Sequence, residues 1–127
     1  MPEHTFPKRL RLLRPPEFER VFAARQSVVD KMLTVYGLEN QYGHPRIGLV
    51  VSRRIGNATV RNRWKRLLRE AFRLVQHDLT SFDFVCIPRA GSEPELASLQ
   101  QSLLRLASEI TRKRRSSRPT NSVGDTS

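Results

Sequence analysis

A chain of 127 residues, 38% of them hydrophobic, has material for one compact core and hardly for two. Its 23 Lys and Arg against 12 Asp and Glu give a formal net charge of +11 and a sequence pI of about 11.3, more than solubility requires, and point to a polyanion as partner. A membrane is the poorer choice, since no run of about 18 apolar residues occurs, and the single cysteine, Cys86, leaves neither a disulfide framework nor a zinc site.

Residues 1–14 read as extended, with Lys8, Arg9, Arg11 and Arg14 alternating with Leu10, Leu12 and Leu13 in the manner of a basic arm crossing a sheet edge. Prolines at 2, 7, 15 and 16 interrupt it, and no apolar segment of secretory-signal length is present, so a cytoplasmic protein is expected. Pro15-Pro16 opens a short helix over 17–24, with Glu17 and Glu19 complementing its dipole and Phe18, Val21 and Phe22 on one side. Residues 28–39, carrying Leu33, Val35 and Tyr36, read as a strand, 40–45 as a turn and 47–52 as the next strand. A basic helix follows over 59–76, then a short buried strand over 82–87 that ends near Pro88. Ser92-Glu93-Pro94-Glu95 resembles a helix start, and Leu96, Leu99, Leu103, Leu106 and Ile110 give that helix an apolar stripe. Periodicity stops at Arg112. The folded domain is therefore expected over 1–112, and 113–127 as a disordered, partly basic tail in which burial could not offset the entropy of ordering.

Segment 53–73 concentrates the charge, with eight cations and one acid, Glu70. At roughly 100° per residue, Val60, Trp64, Leu67, Leu68, Ala71, Leu74 and Val75 gather on one side, while Asn62, Lys65, Arg66, Arg69 and Arg73 fall opposite. Ordinary surface helices interleave Glu with Lys; here self-repulsion is left to an external anion such as phosphate. The helix entry, Gly56-Asn57-Ala58-Thr59, combines residues that cap and bend with Arg53, Arg54 and Arg61 close by, an arrangement that accepts phosphate.

A self-contained active site is missing from the pattern. His4, His44 and His77 are far apart in sequence and in no metal-ligand spacing, the acids are scattered, and there is no Gly-rich phosphate loop. The residues argue for binding, not for catalysis by the chain itself. Phe18, Phe22 and Tyr36 read two ways: as the floor of a groove on which unpaired bases stack, or, for the two Phe, as core between helix and sheet.

The run Val51-Ser52-Arg53-Arg54-Ile55-Gly56-Asn57-Ala58, followed by Val60-Arg61-Asn62-Arg63-Trp64-Lys65-Arg66-Leu67-Leu68-Arg69-Glu70-Ala71-Phe72, closely resembles the signature of the bacterial ribonuclease P protein subunit. The similarity extends back through Arg9-Leu10 and Phe18-Glu19-Arg20-Val21-Phe22 and forward to the last helix. It implies an α+β fold of order α-β-β-β-α-β-α, with a four-stranded sheet, a left-handed βαβ crossover and the 28–39 region broken into two strands. General priors favour a right-handed crossover, so the handedness comes from the resemblance alone.

The resemblance further implies a partner of a catalytic RNA that removes the 5′ leader from precursor tRNA, the chemistry residing in the RNA and its Mg2+ ions, with no small-molecule substrate. Its RNA-subunit surface maps here to Arg53, Arg54, Asn57, Arg61, Asn62, Arg63, Lys65, Arg66 and Arg69. The leader cleft maps to Phe18, Phe22 and Tyr36, bordered by Arg61, Asn62, Lys65 and Arg69. Thr34 departs from the pattern, standing where the family cleft commonly has a bulkier apolar residue. Two competing readings are a basic ribosomal or structural RNA-binding protein with no part in cleavage, and an autonomous nuclease.

Overall fold

Backbone order follows the hydrophobic pattern closely. The computed structural model describes residues 6–117, with side chains placed through Arg114. Its elements are α1 (Pro15–Ala23), β1 (Ser27–Val29), β2 (Leu33–Glu39), β3 (Arg46–Leu49), α2 (Ala58–Val75), β4 (Phe82–Pro88) and α3 (Leu96–Ser117). The strands form a four-stranded sheet in the order β1-β2-β4-β3, antiparallel except for the parallel pair β3 and β4, which α2 connects.

The 28–39 region breaks in two, as the resemblance implies, because Asp30 accepts the Met32 and Leu33 amides at 2.8 and 2.9 Å and turns the chain. The same carboxylate takes Ser102 and Arg105 of α3 at 2.7 and 2.6 Å, tying the turn to that helix. β3 stops at Leu49, short of the expected 52, although the Val50 amide still donates to Cys86 O at 3.1 Å. α3 begins at Leu96, with Glu95 O accepting the Leu99 amide, and it runs to Ser117, so 113–117 are helical where a tail was expected. Cations suit that C-terminal end. Residues 118–127 of the expected tail, and 1–5 of the expected arm, lie outside the described residues.

One sheet face carries the main core. Leu33, Val35, Ile47, Phe82, Phe84 and Cys86 meet Trp64, Leu68, Phe72 and Val75 of α2 and Leu99, Leu103, Leu106 and Ile110 of α3. Each such side chain contributes about 1.5–3 kcal/mol relative to exposure, so this layer holds the domain together. Leu10 joins it, whereas Leu12 lies in the smaller cluster on the other face. Between them Arg11 bridges to Ile47, and the Leu12 amide donates to Ile47 O at 2.9 Å, so the arm wraps the β3 edge as the sequence suggests.

On the opposite face α1 packs beside Leu12 of the arm. Sheet register aligns Gly48, Val85 and Tyr36 across β3, β4 and β2. Phe18 lies over Gly48 and Phe22 packs edge-on against Tyr36 with ring centroids 4.9 Å apart, so α1 crosses the strands. A buried ion pair fixes it there: Arg46 donates to both Asp83 oxygens at 2.9 and 2.7 Å and to Glu17 at 3.2 Å. Burial raises the Glu17 carboxyl, but the amides of Arg14 and Leu13, together with Arg46, outweigh it and hold the group below its ordinary range.

A β-carbon added at Gly48 would sit 2.6 Å from Phe18 Cε2. Gly48→Val is expected to lift α1 from the sheet and to lower stability by about 1–3 kcal/mol, read by urea unfolding. A midpoint equal to that of the unsubstituted protein would show that α1 does not depend on this approach.

Candidate nucleic-acid interface

α2 is gripped on one side by Trp64, Leu68, Ala71, Phe72 and Val75, all buried. The arc is rotated relative to the sequence reading: Phe72 lies inside it, while Val60 and Leu74 are 37% and 45% exposed. Both sit at margins of the stripe, Val60 in the first turn and Leu74 on the side away from Phe72. Trp64 packs, as expected.

The outward side keeps its charge free. Arg53, Arg54, Arg63 and Arg66 are exposed and Lys65 and Arg69 half-buried, and among the described residues none of the six forms an ion pair. Glu70 is the acid of this segment, and it takes Arg73 through a hydrogen bond of 3.0 Å. Burial pushes the Arg69 pKa down, and the neighbouring Arg11 guanidinium pushes it further. Both shifts disfavour the charged form of Arg69, and an anion placed beside the pair would offset them.

The entry to α2 is built for the same ligand. Arg53 and Arg54 lie in a single 3-10 turn, Arg53–Ile55, after which Gly56 takes φ +151° in close approach to Val60. Asn57 caps the helix, its side chain accepting the Val60 amide at 3.0 Å. Arg61 spends one N–H on Gly56 O at 2.9 Å, which braces the loop and leaves its other donors outward. No acid occupies the first turn. A helix N-terminus flanked by arginines instead of carboxylates doubles the preference for an anion. Asn62 is exposed on the same helix.

A groove runs beside α1. Phe18, Phe22 and Tyr36 are each half-buried and border the small cluster of Leu12, Val21 and Val85, so they serve as core and as partly open surface at once. In the next row of the sheet Thr34 lies opposite Ile87, with Val50 following β3; Thr34 and Ile87 are half-buried, Ile87 at the edge of the small cluster, and Val50 is 36% exposed. Ile87 supplies apolar surface beside Thr34. This half-open row points toward the end of β3, from which the chain enters the Arg53–Asn57 loop. Among the described residues no hydrogen bond joins the α2 cations to the aromatic groove; β3 and the arm lie between them.

Two features escape a linear reading. Arg11 stands beside Arg69, its Nη2 donating to Phe6 O at 2.7 Å while its Nε is buried without a partner; the alternation around it announces an edge strand but not its neighbour. The Arg46–Asp83 pair joins residues 37 apart in sequence, and no local pattern signals it.

Fold and surface together define a small α+β RNA-binding protein with a basic helix and an adjoining half-open aromatic groove. A family model described as Ribonuclease P matches residues 6–111. The ribonuclease P protein component of Pectobacterium atrosepticum is 46% identical over 103 residues, covering 80% of this chain and 87% of that one. Its counterpart from Serratia proteamaculans is 48% identical over 87 residues, 68% of this chain and 73% of that one. Among solved structures, the RNase P protein of Thermotoga maritima superposes with a TM-score of 0.70 at 30% identity, over 78% of this chain and 96% of that one. That of Staphylococcus aureus gives 0.70 at 28% identity, over 81% and 95%. The chain belongs to the ribonuclease P protein family, the protein components of an endoribonuclease complex that has an RNA subunit.

Removing the cap tests how firmly the loop is held. Asn57→Ala is expected to cost about 1 kcal/mol and Asn57→Ser much less, measured as shifts in the urea midpoint. Equal midpoints for Ala and Ser would mean that the cap bond does not hold the loop.

Proposed function

We propose that the outward face of α2 and its entry loop dock on the RNA subunit, while the groove beside α1 receives the single-stranded 5′ leader of precursor tRNA. One observation carries this reading: a half-open row of Thr34 and Ile87, rimmed by Phe18, Phe22 and Tyr36, leads toward a loop and helix on which Arg53, Arg54, Arg63, Lys65, Arg66 and Arg69 form no ion pair among the described residues. Bases stack on aromatic faces with about 1–3 kcal/mol each, and phosphates take the guanidinium and ammonium groups. Sequence tolerance follows, because every base offers a π-face.

Cleavage itself is assigned to the RNA subunit. The Mg2+ ions of the reaction are assigned mainly to that RNA as well. The protein then acts by holding the leader in register and by neutralising phosphates that would otherwise repel one another. The site of action proposed for it is the cytoplasm, where precursor tRNA is processed.

Substituting both Lys65 and Arg69 with Ala is expected to weaken binding of the RNA subunit and to reduce the slope of log affinity against log salt by about 1–2, as each phosphate contact contributes close to 0.9. Filter binding at several salt concentrations measures it. An unchanged slope would remove both residues from the interface. Phe22→Ala is expected to weaken a precursor with a leader about tenfold, within the stacking range, and mature tRNA far less. Equal losses for the two ligands would return Phe22 to a purely packing role.

A further inference from the structure

At the end of the sheet where β3 and β4 begin, an exposed tyrosine is held rigidly over a buried cation. The Tyr42 ring has one face against Arg46, whose guanidinium carbon lies 4.1 Å from the ring centroid, yet the residue is 57% exposed. Its loop is not slack. Asn40 accepts the Tyr42 amide at 3.0 Å and donates to His44 O at 3.2 Å and to Asp83 at 2.8 Å, with Gly43 at φ +81° completing the turn. A hollow of about 440 Å³ opens beside the ring, lined by Arg20, Glu39, Asn40, Gln41 and Tyr42.

Charge at this place differs from the rest of the RNA-facing surface. Arg46 and Arg20 are matched by Asp83 and Glu17, and Glu39 adds a carboxylate. A phosphate gains little here. A neutral aromatic ring gains more: the free face of Tyr42 is a flat platform polarised by the cation behind it, and the Gln41 amide at the rim matches the edge of a base. Ordering has been completed within the fold, so a ligand meets a surface that loses little freedom on contact.

We propose that Tyr42 is a second stacking position, taking one unpaired nucleobase of the RNA subunit. This rests on the reading of the protein as an RNA-subunit partner. The leader is the poorer source, because α1 with Glu17 and Arg20 stands between this hollow and the half-open row of Thr34 and Ile87. It also lies at the opposite end of β3 from the Arg53–Asn57 loop, so the RNA would be gripped at two separated points. The alternative use of the ring, as a cover for the Arg46–Asp83 pair, rests on its contact with Arg46 and would show as lost stability without quenching of a tryptophan placed there.

Tyr42→Leu keeps apolar bulk and removes the platform; Tyr42→Trp keeps both. Tyr42→Leu is expected to weaken RNA-subunit binding about tenfold while leaving the salt slope unchanged, since no phosphate is involved. Tyr42→Trp should bind as the original protein does, and its fluorescence should be quenched when the RNA subunit is added. The unsubstituted protein, with Trp64 alone and buried, should show no such quenching. Unchanged affinity for Tyr42→Leu together with unquenched Tyr42→Trp overturns the proposal, as does a loss confined to leader-bearing precursor. If Tyr42→Leu fails to fold, quenching of the Tyr42→Trp variant decides alone. Should the Lys65 and Arg69 double variant also bind normally, the fault lies with the interface reading; should it alone lose affinity, the fault lies with Tyr42.

Discussion

Cations crowded along α2 repel one another, and what holds them in place is the apolar grip on the helix's other side. Trp64, Leu68, Ala71, Phe72 and Val75 are buried against the sheet and α3, and their burial outweighs repulsion that water and salt already weaken. Without that grip the charged side would favour an extended chain, which keeps like charges further apart. With it, the protein presents an ordered cationic surface, and core packing sets the position of those charges as well as the fold.

The sheet divides the labour. One face is fully covered by α2 and α3 and supplies stability. The other is crossed by a nine-residue helix, α1, which covers the row of Gly48, Val85 and Tyr36 and leaves the row of Thr34 and Ile87 half-open. Arg46 is what keeps α1 at that position, with hydrogen bonds to Asp83 pushing its pKa up despite burial. The Arg46–Asp83 pair itself joins β3 to β4, and α1 is attached to it through Glu17 at 3.2 Å and Arg20 at 3.6 Å. A short helix pinned at one side gives a groove of fixed width.

Periodicity made α2, β4 and α3 readable, because each repeats an apolar residue at the spacing of its own element over a long enough stretch. Leu96, Leu99, Leu103, Leu106 and Ile110 all lie where the stripe puts them. Margins were less legible. Leu74 and Phe72 differ little in apolar character, and only the direction of the neighbouring sheet decides which one turns in. The tie of the Asp30 turn to α3, the meeting of Arg11 with Arg69 and the Arg46–Asp83 pair all depend on contacts between distant segments. A linear pattern carries no record of those. For the interface, residue type and spacing located the cations and aromatics; their exposure, and the row left half-open beside them, needed the fold.

Cys86 lies at the middle of β4 with no exposure, and burial pushes its thiol up to about 12. Thiolate is the reactive form, and burial disfavours it here. Alkylating reagents therefore meet this sulfur when the core layer between the sheet and the helices α2 and α3 opens. The native chain thus contains its own clock for whole-domain opening, readable by mass spectrometry with no label added, and slowed by any ligand that binds the closed form alone.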